Sequence, residues 1–354
     1  MFDVDVRDRS DTSRSGGELD RKPLWQQLQS PKVAALDLGS NSFHLVVAEL
    51  ASHARFRVIE RAKERVQLGE STFETGRISP AVFERGLTAL RCLRAIVQRH
   101  TPEAVLAVAT SAVRDAENGR HFLHAAARIA GFPVSVIDGL EEARLVCLGA
   151  REGFALDGRR MALIDLGGGS TEIVLADQHA CLLTASLELG ALRLRSMWAS
   201  QDPPTGPDMV RLERRIALIV EPTIAHLRRL GFDLVVLSCG TARTLLRLSL
   251  AEAADAGAAT PLGPAAAMLD LDALERLETR LAALSEARRV AVAGHEPGRV
   301  DTLLTGTVAL RVMLERLGTS RALVSSTGLR EGLIADYVRK RPTTGLARML
   351  QEDR

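Results

Sequence analysis

Apolar residues fall into two kinds of segment along the chain: short unbroken runs, and longer stretches with helical spacing. The runs at 33–36 and 161–164 predict buried strands, and each leads through a Gly-rich turn into a second strand-like run. Between them, residues 81–98 place Val82, Leu87, Leu90, Leu93, Ile96 and Val97 on one helical face. A strand at 104–108, a helix at about 115–130 and a strand at 133–137 follow. The second half continues with a helix over 207–230, opened by Pro207, and a strand at 234–237. Residues 251–267, rich in Ala, Gly and Pro, read as a loop. Helices at about 270–290 and 300–318, a strand at 322–324 and a helix from Leu329 complete the pattern. Strands alternating with helices predict an α/β fold.

Residues 1–30 are rich in Asp, Arg, Ser and Gly without sustained periodicity, and predict a disordered extension. Order is expected from Lys32, and the tail at 341–354 is expected to fray. The N-terminus has no apolar core of a secretory signal, and no apolar run reaches the ~20 residues of a membrane span. The 46 basic residues nearly balance 44 acidic ones, which argues against non-specific nucleic-acid binding. Only Lys22, Lys32, Lys63 and Lys340 are lysines, so almost every cation is an arginine. Aromatic residues make up 3%, too few for stacking platforms on single strands. Cys92, Cys147, Cys181 and Cys239 lie far apart in sequence and form neither a zinc pattern nor a disulfide framework. A cytoplasmic, reducing setting is expected.

The chain also repeats itself. Asp37-Leu-Gly-Ser-Asn-Ser-Phe-His-Leu-Val-Val-Ala48 and Asp165-Leu-Gly-Gly-Gly-Ser-Thr-Glu-Ile-Val-Leu-Ala176 share six of twelve residues at an offset of 128. Two copies one domain length apart predict two similar domains facing one cleft. In the second copy, Gly167, Gly168 and Gly169 allow the backbone to approach a phosphate, while Ser170 and Thr171 add hydroxyl donors. Asp165 closes a buried strand, where it can hold Mg2+ directly or through water. Asp37, Gly39, Asn41 and Ser42 form the matching half of the clamp.

Three further segments follow predicted strands. Thr110 or Ser111 can cap the next helix, and Arg114 then stands at the carboxyl end of the sheet, where a guanidinium can grip a terminal phosphate. Glu141 and Glu142 open a helix, either to complement its dipole or to aim a carboxylate at a water in the cleft. Cys239-Gly240-Thr241 is a third glycine–hydroxyl turn, a weak candidate for nucleotide contact. The histidines show no metal spacing, and His44 and His295 are expected to be structural.

Taken in order, the blocks DLGSNSFHL (37–45), ATSAVR with the Ala and Asn that follow (109–118), GLEEARL (139–145), DLGGGSTEIV (165–174), LELGALRL (187–194), SCGTARTL (238–245) and STGLREGL (326–333) resemble the exopolyphosphatase / guanosine pentaphosphate phosphatase family. That family belongs to the actin, heat-shock-70 and sugar-kinase superfamily, and the resemblance covers about 32–337 in its short form, without an HD-type helical domain. It implies duplicated ribonuclease-H-like domains around an interdomain cleft. The expected division is 31–139 and 140–320, with 321–340 returning to the first domain. It also implies Mg2+-dependent release of terminal phosphate from polyphosphate or guanosine pentaphosphate. By motif position, Glu142 falls on the catalytic base and Arg114 on the phosphate-gripping arginine. Asp165 and Glu172 fall on the metal-associated carboxylates, and Arg193 on a further phosphate contact. A kinase of the same superfamily and a non-catalytic nucleotide or polyphosphate sensor remain the alternative readings. A homodimer through the helices at 207–230 and 300–318 is possible on sequence grounds.

Overall fold

Two sheets carry the molecule. In a computed structural model, residues 30–51, 55–154, 156–197, 201–255, 257, 267–293 and 300–341 are described. The elements below belong to a single unit, Pro31–Arg354. The expected extension at 1–29 and the tail at 342–354 lie outside the described residues, as do 258–266 of the expected loop and His295.

The first sheet contains β1 (Lys32–Leu38), β2 (Ser42–Leu50), β3 (Phe56–Arg65), β4 (Ala104–Ala109) and β5 (Ser135–Val136), in the order β3-β2-β1-β4-β5. β1 pairs antiparallel with β2, and β2 with β3, whereas β4 and β5 run parallel to β1. The second sheet contains β6 (Met161–Leu166), β7 (Thr171–Ala176), β8 (Cys181–Leu187), β9 (Leu234–Leu237), β10 (Met268–Asp270) and β11 (Arg321–Val324). Its order, β10-β11-β9-β6-β7-β8, repeats the first. The strands β6, β7, β8, β9 and β11 take the places of β1 to β5, and β10 adds an antiparallel edge. The sequence repeat is therefore the hairpin of each of two matching sheets, as expected of the duplicated actin-like fold.

Helices cover these sheets. They are α1 (Leu68–Thr75), α2 (Pro80–His100), α3 (Ser111–Asp115), α4 (Gly119–Ala130), α5 (Gly139–Gly153), α6 (Ala191–Ser196), α7 (Gly206–Leu230), α8 (Gly240–Asp255), α9 (Leu271–Ala282), α10 (Glu286–Ala293), α11 (Val300–Leu317) and α12 (Leu329–Lys340). Leu36, Phe43, Leu90 and Phe122 are fully buried within the first core. Ile164, Ile216, Val236 and Leu310 are fully buried beside the second sheet.

Several sequence expectations change. The strand at 321–324 pairs with β9 and β10, so it belongs to the second sheet rather than the first. Helix α12, which follows it, does pack on β1 and β2. The helix expected around 115–130 runs from Gly119 to Ala130, preceded by the short α3; a Cβ on Gly119 would stand 2.1 Å from the Val113 carbonyl oxygen. The helix expected at 270–290 is broken between Ala282 and Glu286. The loop expected from 251 begins later, since α8 runs to Asp255. The strand expected at 133–137 shrinks to two residues.

Candidate active site

The site follows from the repeat. Each hairpin turn leaves the carboxyl end of a central strand, so the two turns arrive face to face. They touch: a Cβ on Gly168 would lie 3.1 Å from Ser40 Cβ and 3.3 Å from the Asn41 amide nitrogen. A Cβ on Gly169 would strike the side chains of Phe73 and Ser111 at 2.3 Å, so the bare glycine lets α1 and α3 pack against this turn. The first turn is held by Ser40, whose hydroxyl lies 2.8 Å from that of Ser111 and accepts from the Ala112 amide. Around these turns lies a cavity of about 130 Å3.

Asp37, Gly39, Asn41, Ser42, Asp165, Gly167, Gly168, Ser170, Glu142, Glu172, Gly240 and Thr241, all expected site residues, line this cavity. Glu142 is placed by the start of α5, where Asp138 caps the helix by accepting from the Glu141 amide at 2.8 Å. Its side chain turns inward, and the residue is 9% exposed. Arg114 reaches it from α3: Nη1 lies 3.5 Å from Glu142 Oε2 and donates to the Ile137 carbonyl at 2.9 Å. Glu172 is buried, and its Oε1 accepts from Ser186 Oγ at 2.8 Å.

Four carboxyl groups thus face one small space, and their acidities record it. Burial above all, then the charge of Asp165, pushes Glu172 up to about 8. Burial pushes Asp37 up to about 6, with Arg330 opposing and Asp165 adding to the rise. Glu142 is held well above the ordinary carboxyl range by burial, then by Glu172 and Asp37, with Arg114 opposing. Asp37 Oδ1 is closed off from solvent without a hydrogen-bond partner. Uncompensated buried carboxylate oxygen is the donor set of a hard divalent cation. Among the described residues, no three acidic, histidine or cysteine side chains converge tightly enough to chelate an ion by themselves. Asp37 and Asp165 could supply the one or two carboxylates that an ion such as Mg2+ takes, with water and phosphate oxygens completing its shell.

Other expected residues sit elsewhere. Thr171, read as a phosphate donor, is fully buried and gives its hydroxyl to the Leu189 carbonyl, so it ties the start of β7 to the segment that follows β8. Arg114, Gly169 and Arg193 line an adjoining pocket that shares Ser170 with the main cavity. Arg193 donates to the Gly169 carbonyl at 2.8 Å, pairs with Asp115 and lies 4.2 Å over the Phe73 ring. It braces the second loop from behind.

The cavity also holds residues not expected in the site. Arg330 and Arg243 supply its positive charge. Arg243 donates to the Ser238 and Ser325 carbonyls, while burial lets Arg330 give up its proton more readily than an ordinary guanidinium. Thr110 makes no capping bond and lines the cavity with Ser111. His44, expected to be structural, lines it too. Only the position of Arg330 within a matching block could have flagged it, because arginines are common throughout this chain.

Residues 46–341 match the Ppx/GppA phosphatase family. Exopolyphosphatase 2 of Mycobacterium tuberculosis is 32% identical over 318 residues, covering 85% of this chain and 97% of that protein. An Aquifex aeolicus member of the Ppx/GppA family superposes with a TM-score of 0.71 at 25% identity, over 88% of this chain and 99% of that one. A Cytophaga hutchinsonii exopolyphosphatase structure gives a TM-score of 0.80 with the same coverage at 24% identity, a likeness of fold. No described helix is long and apolar enough to cross a membrane. The chain belongs to the Ppx/GppA phosphatase family and is a hydrolase acting on phosphoric anhydrides.

Proposed function

We propose that this protein is an Mg2+-dependent exopolyphosphatase, with Glu142 as the general base. The observation that carries this reading is the position of Glu142, buried beside two phosphate-type loops with Arg114 at 3.5 Å. A carboxylate with raised basicity accepts a proton from water more readily. The water oxygen then forms a bond to the terminal phosphorus as the bridging P–O bond breaks, and the shortened chain leaves with the electron pair. The Gly167–Ser170 and Gly39–Ser42 turns present backbone dipoles to the phosphoryl oxygens, and Arg330 adds fixed charge. Asp165 and Asp37 would hold Mg2+, whose charge would offset that of the phosphates. Glu172, tied to Ser186, sets the field around Asp165.

Mg2+-dependent phosphate release from long polyphosphate, guanosine pentaphosphate and ATP, compared side by side, tests the reading. We expect release from polyphosphate, lowered by ~10²–10⁴-fold in Glu142→Gln. Near-wild-type turnover in that variant removes Glu142 from the role of base. Release from guanosine pentaphosphate alone, or binding without release, removes the exopolyphosphatase assignment.

A further inference from the structure

We propose that Cys147 and Cys181 form a peroxide-responsive thiol pair that closes to a disulfide and ties α5 to β8. The two residues lie 34 positions apart in sequence, yet their sulfur atoms are 2.8 Å apart. Both are free thiols. A disulfide spans about 2.05 Å, so closure asks for roughly 0.8 Å of approach. Cys147 is fully buried, whereas Cys181 on the sheet-edge strand β8 is partly exposed and is the one a small oxidant reaches.

The surroundings favour thiolate at Cys181. Its hydrogen bond with Cys147 brings it down to about 7, with burial opposing, while the Cys147 thiol is pushed up. Arg151, one helical turn after Cys147, donates to the Asp177 and Ala180 carbonyls at 2.6 and 2.5 Å, which holds its charge beside Cys181. The Arg144 charge also favours the Cys181 thiolate, and Asp177 opposes. Reactive thiols have this character: low pKa, partial access and a second sulfur within reach.

The step balances with hydrogen peroxide as oxidant. The Cys181 thiolate attacks one peroxide oxygen, the O–O bond breaks, and hydroxide leaves and takes up the proton that the Cys181 thiol had released, giving a sulfenic acid and water. The Cys147 sulfur then attacks the Cys181 sulfur, the S–O bond breaks, and the departing hydroxide takes the Cys147 proton. Two thiols lose two electrons, and one peroxide becomes two waters. Both anchored elements serve the site: α5 carries Glu142, and β8 carries Ser186, the partner of Glu172.

The full-length protein, as Cys92→Ser to remove the exposed thiol, is treated with stoichiometric hydrogen peroxide. Thiol titration and peptide mass spectrometry then follow the cysteines. The expected result is loss of two thiols per chain, a single cross-linked peptide joining Cys147 and Cys181, and full recovery with dithiothreitol. A Cys181→Ser control should keep the Cys147 thiol unoxidised at the same dose. Retention of all three thiols, or conversion of Cys181 to sulfinic acid with Cys147 still free, overturns the proposal.

Discussion

Helix α5 delivers Glu142 to the cavity, and its position depends on two glycines. A Cβ on Gly332 of α12 would lie 1.8 Å from the Leu145 carbonyl oxygen of α5, and one on Gly149 would lie 1.9 Å from the Gly328 carbonyl oxygen. The obstructing atoms are backbone, so no rotamer change relieves them. Real Cβ contacts stay beyond 3.0 Å, so Gly332→Ala must separate the helices by roughly 1.2 Å at that point. Overpacking of this kind costs ~1–3 kcal/mol, against ~1 kcal/mol regained from alanine's helix propensity. The overlap is severe and rigid, so a net loss of ~1–2 kcal/mol is expected, or a Tm lower by a few degrees. Leu145 lies three residues from Glu142, within the same helix. A displacement near 1 Å at a catalytic group costs ~10²-fold in rate, so kcat for phosphate release should fall by ~10–100-fold. Gly206→Ala is the control, since nothing lies within 4 Å of its added methyl. Thermal unfolding and steady-state phosphate release of both variants decide the matter. A Gly332→Ala protein with wild-type Tm and kcat would refute the claim that a close helix crossing fixes Glu142.

Stability should fall as pH rises from about 5 to 8 when divalent ions are chelated. Glu172 and Asp37 keep protons in the folded chain that the unfolded chain has released, between 4.5 and about 8 for the first and 3.8 and about 6 for the second. Melting scans at constant ionic strength check this, and Glu172→Gln should flatten the slope; a Tm that climbs across the range contradicts it. Arg330→Met should raise the KM for a polyanion by ~10–100-fold, the worth of a charge-assisted contact, with little change in Tm. Arg311 binds Glu278 at 2.6 Å and Glu315 at 2.7 Å and also pairs with Glu213. Arg311→Met leaves these carboxylates facing one another and should cost about 3 kcal/mol in urea unfolding, the lower end for a broken buried pair because Glu213 and Glu315 remain partly exposed.

The repeat was the most legible feature, because a strand, a glycine turn and a strand must keep their residue types to pack and to open a backbone cradle. β9 stands at 234–237 as read, since Leu234-Val-Val-Leu237 is a buried run with no competing helical spacing. β3 went unread for the opposite reason. It is an edge strand whose Glu60-Arg-Ala-Lys-Glu-Arg65 stretch resembles a charged helix face, and only pairing with β2 makes it a strand. Thr171 misled because hairpin alternation sends neighbouring hydroxyls to opposite faces: Ser170 reaches the cavity and Thr171 the core. The pairing of Cys147 with Cys181 was invisible because it arises where α5 lies on β8, a packing that no local pattern encodes.

The two hairpins share their topology and differ in chemistry at several positions, among them one cross-strand pair that lines the cavity. In the first hairpin Asp37 sits opposite His44, and in the second Asp165 sits opposite Glu172. All four line the cavity. Identical halves would form a palindromic vestibule, equivalent when turned about its own axis. The exchange of a carboxylate for an imidazole adds a difference in charge to those between Ser40-Asn41 and Gly168-Gly169. A linear anion lying between the two walls then meets unlike neighbours on its two flanks, so these side chains give the cleft a direction.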